Sequence, residues 1–311
     1  MIAVAARAIV RAADFIQHAG DAIMRVLREQ FEIMLNTKDN PYFTATRQRG
    51  FGTFPLGGEQ LMATVATAAE VGYRAFDTAQ IYGNEADVGR ALAALGVPRS
   101  ELFVTTKVQH DNMVAARFLA SVEQSLADLQ LDRVDVLLLH FPPLEGPIEP
   151  GLELLLKAQE QGLADRVGVS NYTPQNMRRA RAAVGGGVLV INQVEFHPLL
   201  DGGPLLAAAT ETGIPLAAFC TLARGEILKY PLLAEIGSAH GKTAAQVGLR
   251  WTLQKGVALT TMSTSSANIR ANFEIMNFAL SVDEMARIDT LNTVNHRIIT
   301  RAGGVPWAAE W

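Results

Sequence analysis

A single cysteine, Cys220, occurs in 311 residues. It excludes an internal disulfide framework and fits a reducing, cytoplasmic compartment. The 6 histidines, at positions 18, 110, 140, 197, 240 and 296, show no HxxxH spacing, and CxxC is absent, so no metal site is expected. Long apolar runs are missing too. Charged residues interrupt every run well before the roughly 18 residues of a membrane span, so a membrane is not an expected partner. There is no positive excess: net charge is −4, and Lys and Arg are scattered. Nucleic acid is therefore not an expected partner either. What the chain does have is apolar material, 49% of its residues. That is enough for one large core, or at most two domains.

The N-terminal stretch stands apart. Ile2, Ala6, Ile9, Ala13, Ile16, Gly20, Ile23 and Leu27 recur at spacings of 4 and 3, a helical and even heptad-like seam. Gly20 is its weak point, costing about 1 kcal/mol against Ala. Arg7, Arg11 and Asp14 break any secretory apolar region, and Asp14, Asp21, Glu29 and Glu32 disfavour a transit peptide. Residues 1–45 therefore read as a helical extension and linker, either a helix that forms a homo-oligomer contact or packs on the barrel, or an accessory segment ahead of an alternative start at Met34. Residues 46–311 read as the main domain.

From residue 50 onward, short apolar runs alternate with amphipathic segments. The runs are YRAFD, LFVTTK, VDVLLLH, VGVS, VLVINQVEF, IPLAAFC, VALTTMS and, as the eighth, MNFALS. Their spacing of roughly 20 to 45 residues is that of βα units. Being apolar on both faces, they read as parallel strands covered by helices. Leu61, Val65, Ala68 and Gly72 form one helical stripe, Val88, Leu92 and Leu95 a second, and Ala245, Leu249 and Leu253 a third. Eight such units predict an α/β fold, a (β/α)8 TIM barrel with an extra N-terminal helix. A dinucleotide-binding sheet would need GxGxxG directly after its first strand. GFGTFPLGG lacks that third glycine, and no GxxxxGK[ST] occurs.

In such a barrel, chemistry sits where strands end. Asp77, with Tyr82 five residues on, follows the first run; Lys107 ends the second and His140 the third. Taken singly, Asp77 could be an N-cap, Lys107 a snorkelling lysine and His140 a satisfied core histidine. Three titratable groups closing consecutive buried strands make a site. A free phenol, with a pKa near 10, is too weak an acid for efficient proton donation near neutrality. An adjacent Lys107 ammonium would draw it toward the working range, and Asp77 would keep that lysine charged. Neutral His140 could orient a carbonyl oxygen. The set suits carbonyl reduction, with hydride supplied by a nicotinamide cofactor because no side chain donates one.

GFGTF (50–54), FDTAQIYGNE (76–85), TTKV (105–108), LLLHFP (137–142), GVSNY (168–172), NQVEFHP (192–198) and LARG (222–225) together resemble the aldo-keto reductases, most closely the bacterial diketogluconate-reductase-like branch. The resemblance covers about residues 50 to 311 and implies Asp77, Tyr82, Lys107 and His140 as the catalytic set. It further implies that Ser170, Asn171 and Gln193 hold the nicotinamide carboxamide, with Phe219 stacking on the ring. Gly52, Thr53, Asp77, Cys220, Leu222, Ser263, Asn268 and Asn272 would also line the cofactor, and Phe54, Tyr82, His140 and Phe141 the substrate pocket. Several positions depart from the family. Phe141 stands where Trp is frequent, Phe196 and Phe219 where Tyr is, and Thr221 where Pro is. Arg47, Gln48 and Arg49 replace the apolar lead-in of the family's N-terminal hairpin. In TTMSTSSANIRAN (260–272), Met262, Asn268 and Ala271 replace the family's Lys, Arg and Glu.

The expected function is reduction of a small-molecule aldehyde or ketone with NADP or NAD, relaxed selectivity following from the missing Lys and Arg. Two rivals come from other classes: a Schiff-base lyase using Lys107, and a non-catalytic dinucleotide-binding barrel with an interaction helix.

Overall fold

The computed structural model describes residues 40–143, 145–302 and 305–306. The N-terminal stripe from Ile2 to Leu27 lies outside them. Eight parallel strands close into a barrel in sequence order. They are β1 (Arg49–Gly52), β2 (Ala75–Asp77), β3 (Phe103–Val108), β4 (Val134–Leu139), β5 (Ala164–Ser170), β6 (Leu189–Glu195), β7 (Leu216–Phe219) and β8 (Ala258–Thr261). Around them lie α1 (Gly58–Val71), α2 (Glu85–Ala94), α3 (Phe118–Leu129), α4 (Glu149–Glu160), α5 (Pro174–Val184) and α6 (Gly203–Thr212). Next come α7 (Pro231–His240) and α8 (Ala244–Gln254), both between β7 and β8, then α9 (Ser266–Phe273) and α10 (Val282–Asp289).

Two strand assignments are corrected. The first strand is Arg49–Gly52, which pairs with β2 on one side and β8 on the other. The eighth is ALTT, and MNFALS is no strand: Gln254 accepts from the Leu280 N–H at 2.7 Å and donates to its carbonyl at 2.9 Å. A side chain thus satisfies the backbone groups that a neighbouring strand would otherwise take. The strand ends bearing Asp77, Lys107 and His140 are consequently those of β2, β3 and β4.

Two cores result. Leu61, Val65 and Ala68 of α1, and Val88 and Leu92 of α2, pack between helices and the outer barrel surface. Inside the barrel, Ala75, Phe103, Val136, Leu138, Val190 and Ala258 form a second cluster with Tyr42. Tyr42 stands on a short 3-10 turn (Pro41–Phe43) whose preceding residue, Asn40, donates to the Val190 carbonyl at 2.6 Å. Its ring meets Phe103 edge-on at 5.1 Å, and its hydroxyl pairs with Thr105 Oγ1 at 2.8 Å. A turn with one tyrosine therefore closes the barrel at its N-terminal end. The helical layer is tight at Gly89, where a Cβ would lie 2.3 Å from the Asp128 carbonyl oxygen. Only glycine lets α2 approach the end of α3 so closely.

Candidate active site

The C-terminal ends of β1 to β7 bring the site's groups together. In register, Gly52 of β1 lies beside Asp77 of β2, Ser170 of β5 beside Gln193 of β6, and Glu195 of β6 beside Phe219 of β7. Lys107 is fully buried in β3, and its ammonium has three acceptors for three hydrogens. These are Asp77 Oδ1 at 2.5 Å, the Thr78 carbonyl at 2.9 Å and the Tyr82 hydroxyl at 3.4 Å. The other carboxylate oxygen of Asp77 accepts from Gln193 Nε2 at 2.7 Å.

Burial opposes the charge on Lys107, but Asp77 and then Tyr82 outweigh it and hold the group above the ordinary lysine value. It is an ammonium at neutral pH. For Tyr82, burial pushes the phenol up while Lys107 pulls it down, and the net displacement is upward. Sequence reasoning expected a phenol drawn toward the working range. In the protein alone, desolvation is the larger effect, and the Asp77 carboxylate adds to it. His140 lies well below the ordinary histidine value, first because it is buried and second because Lys107 faces it. It is neutral, and its Nδ1 has no hydrogen-bond partner among the described residues.

The turn Gln80–Tyr82 is fixed from behind. Gln80 donates to the Ser121 carbonyl and Ser125 Oγ and accepts from the Gln109 N–H and Asn112 Nδ2. Asn84 donates to the Thr53 and Leu56 carbonyls at 3.1 and 2.9 Å and accepts from Thr78 Oγ1. Both residues stood in the FDTAQIYGNE motif without an assigned role. Phe54 stands half exposed with its ring 5.1 Å from that of Tyr82. The series continues through His140 at 5.7 Å to Phe141, which stacks on His140 at 5.0 Å. The four expected pocket residues thus form one continuous aromatic wall.

On the other side, Asn171 adopts a left-handed backbone, φ +62°. Its amide donates to the His140 carbonyl at 2.9 Å and to Ser170 Oγ at 3.2 Å, while its Oδ1 is buried with no partner among the described residues. Ser170 donates to the Gln193 carbonyl at 2.7 Å. The N–H and hydroxyl of Thr53 both donate to the Asp77 carbonyl. Phe219 is half-buried at the end of β7, and Leu222 packs partly on the core. Cys220 lies between them with φ +51°, its thiol pushed up to about 11 by burial and therefore neutral. Ser263 and the capping Ser265 lie after β8, ahead of exposed Asn268 and buried Asn272 on α9. Met262 and Arg270 are exposed nearby. The orphaned Asn171 acceptor fits a primary carboxamide, whose NH2 donates, so these residues suit a nicotinamide.

Fold and site define a barrel oxidoreductase. The chain belongs to the aldo/keto reductase family, whose model matches residues 50–293. It is 39% identical to methylglyoxal reductase DkgB of Escherichia coli O157:H7 over 264 residues, covering 84% of this chain and 97% of that protein. It is 37% identical to the Bacillus subtilis oxidoreductase YtbE, covering 78% of this chain and 88% of the relative. Among solved structures, a 2,5-diketo-D-gluconic acid reductase B superposes with a TM-score of 0.80 at 40% identity, covering 85% of this chain and 93% of that one. A Bombyx mori aldo-keto reductase in complex with NADP superposes at 0.75 and 30% identity, covering 81% and 91%. The protein is accordingly an NAD(P)H-dependent carbonyl reductase of small molecules. No helix among the described residues is long and apolar enough to cross a membrane.

Proposed function

We propose that Tyr82 is the proton donor of this reductase, with Lys107, Asp77 and His140 as its immediate partners. The carrying observation is the three-way hydrogen bonding of the Lys107 ammonium to Asp77, Thr78 and Tyr82. When bound, a nicotinamide dinucleotide supplies hydride to the carbonyl carbon. Ser170, Asn171 and Gln193 would hold its carboxamide and Phe219 its ring face. Gly52, Thr53, Cys220 and Leu222 would line it, with Ser263, Asn268 and Asn272 toward the far end. Tyr82 gives its proton to the carbonyl oxygen as negative charge develops there, and Lys107 stabilises the phenolate left behind. Neutral His140 orients the oxygen; a charged imidazolium would compete with Tyr82 as the acid. Phe54 and Phe141 extend the apolar wall and exclude water.

Lys107 held as an ammonium by Asp77 argues against the Schiff-base reading, which needs a free amine. The names of the relatives make α-dicarbonyls the first substrates to try. We place the protein in the cytoplasm because a single cysteine suits a reducing compartment, and we assign the residues ahead of Asn40, whose side chain already belongs to the barrel, as an extension available for self-association. Purified protein should oxidise NADPH or NADH when given methylglyoxal and related dicarbonyls, and borohydride should trap no substrate on Lys107. Tight dinucleotide binding without turnover on any carbonyl would refute the proposal.

A further inference from the structure

We infer that Glu195 is a positioning residue that latches residues 296–299 over the barrel mouth and thereby sets carbonyl-substrate affinity. The inference rests on the reductase reading of the site. Glu195 is the last residue of β6 and is 1% exposed, and its carboxylate is saturated by local donors. Oε1 accepts from the Ile298 N–H at 2.6 Å and pairs with His197 Nε2 at 3.0 Å. Oε2 accepts from the Ile299 N–H at 2.8 Å. One buried carboxylate therefore takes both amides of a loop more than a hundred residues away. Those N–H groups belong to no helix or strand, so nothing else in the described chain satisfies them. A further backbone bond, from the His296 N–H to the Leu199 carbonyl at 2.7 Å, pins the same segment to the loop after β6.

The place of this latch gives it a function. Gln193, two residues earlier on the same face of β6, donates to Asp77 of the catalytic cluster. Same-face neighbours on a strand lie about 7 Å apart. The loop is thus fastened one side-chain layer above Asp77 and Gln193, on the open face of the barrel, where the substrate must enter. Glu195 is also in register with Phe219, the proposed nicotinamide platform. Hydrogen bonds from two N–H groups to one ionised carboxylate are of the strong, charge-assisted kind, and a neutral amide cannot replace them. With Gln in place of Glu, one end of the side chain would present NH2 to an N–H.

The test is Glu195→Gln in the full chain, read first by amide hydrogen exchange and then by kinetics. The inference expects exchange at Ile298 and Ile299 to accelerate by about a hundredfold or more, with the β6 amides unchanged. KM for methylglyoxal should shift at least about fivefold, with kcat altered less than KM and NADPH affinity, from fluorescence quenching, kept within about twofold. Unchanged exchange at 298 and 299 overturns the latch. Accelerated exchange with unchanged KM overturns its role in substrate binding. If Glu195→Gln does not fold, Ile299→Pro removes one of the two donors outside the barrel and should accelerate exchange at Ile298 with the same shift in KM; unchanged exchange at Ile298 or an unchanged KM there counts against the inference. A wild-type protein lacking turnover would sink the reductase reading, while the exchange result would still report on the latch.

Discussion

Replacing Asp77 by Asn probes how far the buried ion pair governs both stability and catalysis. The substitution keeps shape and leaves an oxygen for Lys107, but removes the charge that faces an ammonium with no solvent exposure. Breaking a buried pair by neutralising one partner costs about 3–5 kcal/mol. Asn retains one hydrogen bond and the Thr78 and Tyr82 acceptors remain, so the lower end, about 3 kcal/mol near pH 7, is expected. The pH dependence carries a sign. In the wild type the folded pKa of Lys107 is raised, so its stabilisation is full below the unfolded value of about 10.4 and fades as pH climbs above it. In Asp77→Asn, burial is no longer offset and the folded pKa should fall below that value. The penalty is then full at low pH and relaxes as the amine becomes neutral. The stability gap between the two proteins should therefore narrow between pH 7 and pH 10. Urea unfolding followed by tryptophan fluorescence at both pH values measures it. A loss under about 1 kcal/mol at pH 7, or a gap independent of pH, would refute the reasoning, because then the pair does not hold Lys107 charged.

Other outcomes can be checked independently. Wild-type kcat/KM with NADH should lie within about tenfold of that with NADPH, because Met262 and Asn268 place no cation at a 2′-phosphate, and each bond to a cation so lost is worth about 1.5–3 kcal/mol. Met262→Lys with Asn268→Arg should favour NADPH selectively, and a native preference above about a hundredfold would show another cation at work. A chain begun at Met34 keeps Asn40, Tyr42 and the whole barrel, so it should fold and stay active while light scattering reports any change in assembly. Gly89→Ala should lower stability by about 1–3 kcal/mol, since the atom its Cβ meets is backbone, the Asp128 carbonyl; an unchanged Tm would mean that α2 can shift away from α3.

Much of the architecture was legible because parallel strands buried on both faces read as apolar runs, as VDVLLL and LVINQVE do. The misreadings have physical causes. RGFG holds one apolar side chain between two glycines, and it becomes a strand only through its pairing with β2 and β8. MNFALS carried strand-like residues, but Gln254 on α8 takes the N–H and carbonyl of its Leu280. The placement of Asp77, Tyr82, Lys107 and His140 could be foreseen, since each lies at or just past the C-terminal end of a strand. The net upward displacement of Tyr82 could not, because it depends on how deeply the phenol is desolvated and on how close Lys107 and Asp77 lie to it. Gln80, Asn84 and Glu195 act through partners distant in sequence, which no local pattern reveals.

The most direct test of the account is Tyr82→Phe, which deletes one hydroxyl from the aromatic wall. Its effect should be read in single-turnover hydride transfer, with dinucleotide affinity measured separately by fluorescence quenching. Loss of a general acid predicts an affinity within about twofold of wild type and a hydride-transfer rate lower by about a hundredfold or more. A variant that binds normally and keeps more than about half of the wild-type rate would contradict it, and the proton would have to come from elsewhere.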